Sequence, residues 1–230
     1  MVQNDTAVVI LLITHLLTLA IAGLCFAGFF LRRRARLSEE SSPGKLPSHA
    51  MFPQRPSSWL AIRAATPERV RNALGLGRFA PCSWAEGMTG EHEFFISPRV
   101  NGWVIVTGLA IPAPDDDVDE CFRFLVSLSR KLGHVQFFHA QTSRHHHAWA
   151  RLDDGYVTRA YAWADGTAWN QGPKTLSEIE LGLKCFDYGE LCPRAVAARN
   201  TEKVLRLAAR WNFDPAAVDE RTVGMAGERL

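Results

Sequence analysis

No Cys-x-x-Cys pair, no His-Glu-x-x-His run and no Gly-x-Ser-x-Gly elbow occurs in these 230 residues. The first absence removes the common structural zinc modules, the second a metalloprotease helix, and the third the nucleophile turn of the α/β-hydrolases. Glycine-rich phosphate loops are missing too. Gly75-Leu76-Gly77 comes closest, but it follows a helical stretch rather than a strand and reads as a helix stop. An excess of positive charge is also lacking. From Ser57 onward the chain carries 20 Lys/Arg and 21 Asp/Glu, so the +2 of the whole chain comes from the residues before it. A near-neutral domain has no electrostatic footprint for nucleic acid, and no nucleic-acid partner is expected. Five scattered cysteines (Cys25, Cys82, Cys121, Cys185 and Cys192) fit free thiols in a reducing compartment better than a disulfide framework. No internal repeat is found.

Residues Ala7–Leu31, AVVILLITHLLTLAIAGLCFAGFFL, form an apolar run interrupted only by His15. As a helix the run is about 37 Å long, enough to cross a hydrocarbon layer of roughly 30 Å. A cleaved signal peptide fits less well. The six preceding residues hold Asp5 and no Lys or Arg, the run is too long, and no small-x-small cleavage site closes it. Arg32, Arg33, Arg34 and Arg36 follow at once. By the positive-inside rule they hold that flank in the cytoplasm, with residues 1–6 as a short outer tail. Residues 32–56 are basic and then rich in Ser and Pro, a semi-extended linker. The expected organisation is a single-pass inner (cell) membrane protein with a cytoplasmic domain over 57–218 and a flexible tail over 219–230.

Within the domain, Ser58–Ala64 reads as a strand. Thr66 and Pro67 supply an N-cap and a first helical residue for a helix ending near Gly75 and Gly77. EFFIS and WVIVT flank Asn101-Gly102, the dipeptide that best tolerates the positive φ angles of a type I′ hairpin turn. Asp115 or Asp116 is expected to cap a helix whose Cys121, Leu125, Leu128 and Leu132 share one face. The run Asp115–Asp117 there reads as charge complementing a helix N-terminus. A strand over HVQFFHAQ and a hairpin about Asp154-Gly155 follow. Ser177 and Glu180 have capping-box spacing, and Asn200–Trp211 is the last amphipathic helix. Strands that come in hairpins predict an α+β fold: a mostly antiparallel sheet with helices on one face, opening with a split βαβ order.

Three histidines, His145 to His147, precede the Asp154-Gly155 hairpin. Alternation on a strand would aim His145 and His147 the same way, and two imidazoles so placed can share a metal. No spacing in the chain selects the remaining ligands. A two-residue turn places Ala162 across from His147 and Ala160 across from Trp149, so that each large side chain faces a small one, and this register is expected. A three-residue loop would instead stack His145, His147, Trp149, Tyr161 and Trp163 on one face and leave the other nearly all alanine. Trp84 and Trp169 lie in turn-rich stretches, and as exposed rings they would be contact residues for a partner.

These features predict a membrane-anchored protein-binding module, a sensor, adaptor or neutralising partner. It would be embedded in the bilayer through Ala7–Leu31, engage a protein at the membrane, and need no cofactor. The alternative is a metal-dependent hydrolase with zinc on His145 and His147.

Overall fold

Thr66 accepts the Arg69 N–H through its side chain, Pro67 opens helix α1 (Pro67–Leu74), and Gly75 stops it in the left-handed conformation at φ 72°. The helix therefore forms where its caps demand. It belongs to a computed structural model that describes residues 56–63, 66–211, 218–219 and 222–229. Residues 54–230 group as one compact unit. The expected span Ala7–Leu31, the cluster Arg32, Arg33, Arg34 and Arg36, and all but the last residue of the 32–56 linker lie outside the described residues. Among the described residues no helix is long and apolar enough to cross a membrane.

The architecture is α+β: one nine-stranded sheet with a few helices. The strands are β1 (Ser58–Arg63), β2 (Leu76–Ser83), β3 (Phe94–Ile96), β4 (Trp103–Thr107), β5 (Val135–Gln141), β6 (His146–Asp153), β7 (Tyr156–Trp163), β8 (Thr167–Gln171) and β9 (Val223–Arg229). They lie in the order β2-β9-β3-β4-β1-β5-β6-β7-β8, and every neighbouring pair is antiparallel. At its centre the order β3-β4-β1-β5 is that of a split βαβ unit. The other helices are α2 (Trp84–Gly87), α3 (Val118–Leu132), α4 (Leu176–Glu180) and α5 (Arg194–Arg210).

Helices cover both faces of this sheet, not one. On one face Leu60, Val106, Phe137, Ala148, Ala150, Ala160 and Ala162 pack against Val70 and Leu74 of α1 and against Cys121, Leu125, Leu128 and Leu132 of α3. On the other, Trp59, Phe138, Trp149, Tyr161 and Trp163 pack against Val204, Leu207 and Ala208 of α5 and against Trp211. The central strands are apolar on both sides, as burial from both sides requires. The helical stripe on α3 is as expected. Its cap is not, since Asp117 Oδ1 accepts the N–H groups of Asp119 and Glu120, both at 2.9 Å.

Three strands depart from the sequence expectation. Residues 76–83 and 167–171 form β2 and β8, and the supposed tail forms β9, inserted between β2 and β3. Strand β9 has the small side chains its position needs. A Cβ on Gly224 would come within 2.4 Å of the Ile96 carbonyl oxygen, and one on Gly227 within 2.8 Å of that of Arg78. Asn101-Gly102 and Asp154-Gly155 turn as expected, with φ of 50° and 85° in the first pair and 49° and 86° in the second. A truncation ending at Arg221 is expected to lower the thermal midpoint of residues 54–230 and broaden the transition, because it opens the sheet between β2 and β3. A tail without structure would leave the melting curve, followed by circular dichroism, unchanged.

Candidate functional site

Arg159 is the one charged residue in the inner half of β7, and it is buried. Its position follows from a bulge. Next to the turn, Asp153 faces Tyr156 and Leu152 faces Val157; then the register shifts, and Arg151 faces Arg159. Thr158 is the extra residue, and its Oγ1 donates to the Arg151 carbonyl at 3.0 Å. One extra residue moves every later side chain of the strand to the opposite face. Val157 thus lies on the α3 side, while Arg159, Tyr161 and Trp163 point to the α5 side. Trp149 faces Tyr161 and His147 faces Trp163, with alanines together on the other face. This is the stack that the expected large-on-small register avoided.

Glu178 meets the buried guanidinium. The Arg159 Nε lies 2.9 and 3.1 Å from its two carboxylate oxygens, and Nη2 lies 2.8 Å from Oε1. Trp149 Nε1 donates to the same Oε1 at 2.8 Å. Oε2 accepts the Thr175 N–H and hydroxyl at 2.7 and 2.9 Å, the reciprocal half of a capping box that opens α4. The box therefore uses Thr175 and Glu178, two residues before the pair expected. Burial works against ionisation of Glu178, but the hydrogen bonds and charge of Arg159, with those of Thr175 and Trp149, carry its carboxyl below the usual range. Arg159 Nη1 also donates to Asn170 Oδ1 and to the carbonyls of Ala160, Gln171 and Gly172. Nη2 reaches the Cys185 thiol, which burial pushes up to about 11. The assembly is a satisfied pin between the sheet and the 164–193 segment, not a reactive centre.

The two histidines expected to share a metal are separated by the backbone. His145 has φ 61°, in the left-handed region, and precedes β6, so strand alternation does not apply to it. His147 is buried with both ring nitrogens engaged. Nδ1 donates to the His145 carbonyl at 3.0 Å, and Nε2 is 3.3 Å from the Asn200 amide nitrogen, which donates. These partners define a neutral imidazole with its proton on Nδ1. Burial depresses its pKa to about 4. Among the described residues no group of three His, Cys, Asp or Glu side chains is placed to hold a metal ion. Trp84 and Trp169 are buried as well, so neither is offered to a partner. Trp84 packs edge-on against Phe95 at 6.0 Å, and Trp169 against Phe122 at 5.3 Å.

A second polar cluster lies at the α3 end of the sheet. Ser58 Oγ is 2.8 Å from His139 Nδ1, and His139 Nε2 is 3.3 Å from Asp115 Oδ1. Asp115 Oδ2 lies 3.0 Å from His146 Nδ1, and His146 Nε2 lies 3.3 Å from Asp165 Oδ2. Asp115, expected as a helix cap, turns instead into the sheet. Serine, histidine and aspartate in a chain suggest nucleophilic catalysis. Here, however, the hydroxyl is buried, and the grooves beside α3 are lined by other residues. What these groups can exchange without an opening of the fold is a proton.

The exposed chemistry is apolar. Leu176, Ile179, Tyr188 and Leu191 are 58%, 61%, 62% and 93% exposed. All four lie on α4 or on the segment joining it to α5, in the layer that Glu178 holds to the sheet. Tyr188 is fixed by its hydroxyl, which accepts the Asn170 N–H of β8 at 2.9 Å, and Phe186 by its carbonyl, which accepts from Thr167. Sequence reasoning passed over Arg159 and this patch. The signal available was an arginine inside the run RAYAW, followed by Thr175-x-x-Glu178. Compared with protein-family models, curated proteins and solved structures, the chain matches none.

Replacing Glu178 by alanine leaves a buried guanidinium uncompensated, with an expected loss of about 3 to 5 kcal/mol in urea unfolding. His147 gives a separate acid sensitivity. Its folded pKa lies below the unfolded value of 6.5, so the unfolded chain takes up the proton first. The stability it supports is complete above pH 6.5 and is lost as pH falls toward its folded value of about 4. The loss is about 3 kcal/mol. A His147→Gln variant is expected to unfold with a flatter stability profile across that window, followed by urea titrations at stepped pH.

Proposed function

We propose that this chain is a membrane-tethered protein-binding module. Its N-terminal segment Ala7–Leu31 anchors it in the inner (cell) membrane, Arg32 to Arg36 hold the following chain on the cytoplasmic side, and the α+β domain engages a protein there. The observation that carries the reading is the set Leu176, Ile179, Tyr188 and Leu191, each more than half exposed, with α4 held by the buried Glu178 and Tyr188 held by the Asn170 N–H. Exposed apolar side chains on one segment suit a protein interface, and tyrosine is among the residue types enriched as its anchors. Leu176 and Ile179 lie one helical turn apart, on the side of α4 opposite the buried Glu178. Their exposure is not required by the cap or by the pin.

The zinc hydrolase reading needs His147 to surrender Asn200 and His145 to enter the pleat, and no observation favours it. A pair of glutamates, Leu176→Glu with Leu191→Glu, is expected to abolish recovery of a defined partner from detergent-solubilised membranes. The thermal midpoint should stay close to that of the unaltered chain, because both side chains already face solvent. Equal recovery by the folded double variant and the unaltered chain would contradict the assignment. Reporter fusions active on only one side of the membrane, placed after Leu230, test the orientation and are expected to report the cytoplasm.

A further inference from the structure

His146 sits between two carboxylates, one at each ring nitrogen: Asp115 at 3.0 Å from Nδ1 and Asp165 at 3.3 Å from Nε2. A neutral imidazole carries a single N–H and can serve only one of them. The contact with Asp115 is a hydrogen bond, whereas Nε2 is buried without one despite its closeness to Asp165. Only the imidazolium satisfies both sides. We propose that His146 is a proton-operated clasp: with a second proton it donates to Asp115 and Asp165 together and fastens the β7–β8 turn to the buried end of the sheet.

The groups around this ring are few and each has its own place. Asp115 comes from the loop before α3 and is enclosed by the two imidazoles. Burial opposes its ionisation, but the hydrogen bond from His146 and the charges of His139 and His146 keep its carboxyl below the usual range. His139, on β5, shares Asp115 through the other oxygen and has Ser58 at its far nitrogen. Burial holds it below the ordinary histidine range, against the pull of Asp115 and Asp116. His147, next on β6, is committed to the neutral form by the His145 carbonyl and Asn200. His146 alone has a carboxylate on each side. Asp165 is 90% exposed, so the clasp closes on a side chain otherwise free to leave. The turn it fastens leads into β8, whose Asn170 holds Tyr188. Through that strand a proton would adjust the apolar patch, a consequence that rests on the binding reading, whereas the clasp itself does not.

The test is a pH titration of residues 54–230, the compact unit, by NMR of the His146 ring nitrogens and of the Gly166 and Thr167 amides. In the unaltered domain the amides are expected to move with the same midpoint as the ring. Asp165→Asn is expected to lower the proton affinity of His146 by about threefold, as loss of an exposed ionic partner should, and to remove the coupled movement of the amides. Asp165 faces solvent and has φ 56°, which asparagine adopts as readily, so Asp165→Asn does not threaten the fold. A ring that does not titrate while the domain stays folded, a midpoint unaltered in Asp165→Asn, or amides that ignore the ring would each overturn the proposal. None of these readouts involves a partner, so the clasp and the binding patch can fail separately.

Discussion

One guanidinium inside an aromatic layer governs the architecture of this domain. Arg159 cannot be neutralised, so its burial requires a carboxylate and enough acceptors for five N–H groups. Glu178 supplies the carboxylate, and Asn170 and the carbonyls of Ala160, Gln171 and Gly172 supply most of the remainder. Meeting that demand ties the end of β8 and the start of α4 to β7. The exposed side chains of α4 are held outward by the same carboxylate that is held inward.

The demand itself originates in one extra residue. Without the bulge at Thr158, regular alternation from Val157 would send Arg159, Tyr161 and Trp163 to the α3 side, where the sheet offers alanines. With it, the two faces acquire different characters. The alanine face packs against Cys121, Leu125 and Leu128 of α3. The aromatic face sets Trp149 against His147 and Tyr161, at 5.7 and 5.1 Å between ring centres, and includes polar side chains between the sheet and α5. His147, Asn200 and Glu178 occupy that space, each with partners.

What the sequence made legible was local. Thr66-Pro67 and Gly75 bound a helix, Asn101-Gly102 and Asp154-Gly155 turn, and the Cys121 stripe is buried, because each depends on neighbours within a few residues. The split βαβ unit was legible only as an order of elements along the chain, and β2 and α2, which interrupt it, were not. Nor was the pairing of β2 with β9, because two glycine-containing stretches from distant parts of the chain gain strand character from each other and, for β9, from β3. The candidate sites were legible in part. The histidine run attracted attention for its imidazoles, yet a positive φ at His145 and a bulge at Thr158 decided what those imidazoles meet. Neither can be inferred from alternation, which assumes an unbroken pleat.

The account turns on the layer over the aromatic face being the side that meets another protein. A photo-activated cross-linker in place of Leu191, in the full chain in its own membrane, tests this most directly, with the same probe in place of Arg123, exposed on α3, as the comparison. Irradiation is expected to join position 191 to a protein identifiable by mass spectrometry and to leave position 123 without that adduct. The same adduct at equal yield from both positions, or from position 123 alone, would contradict the account.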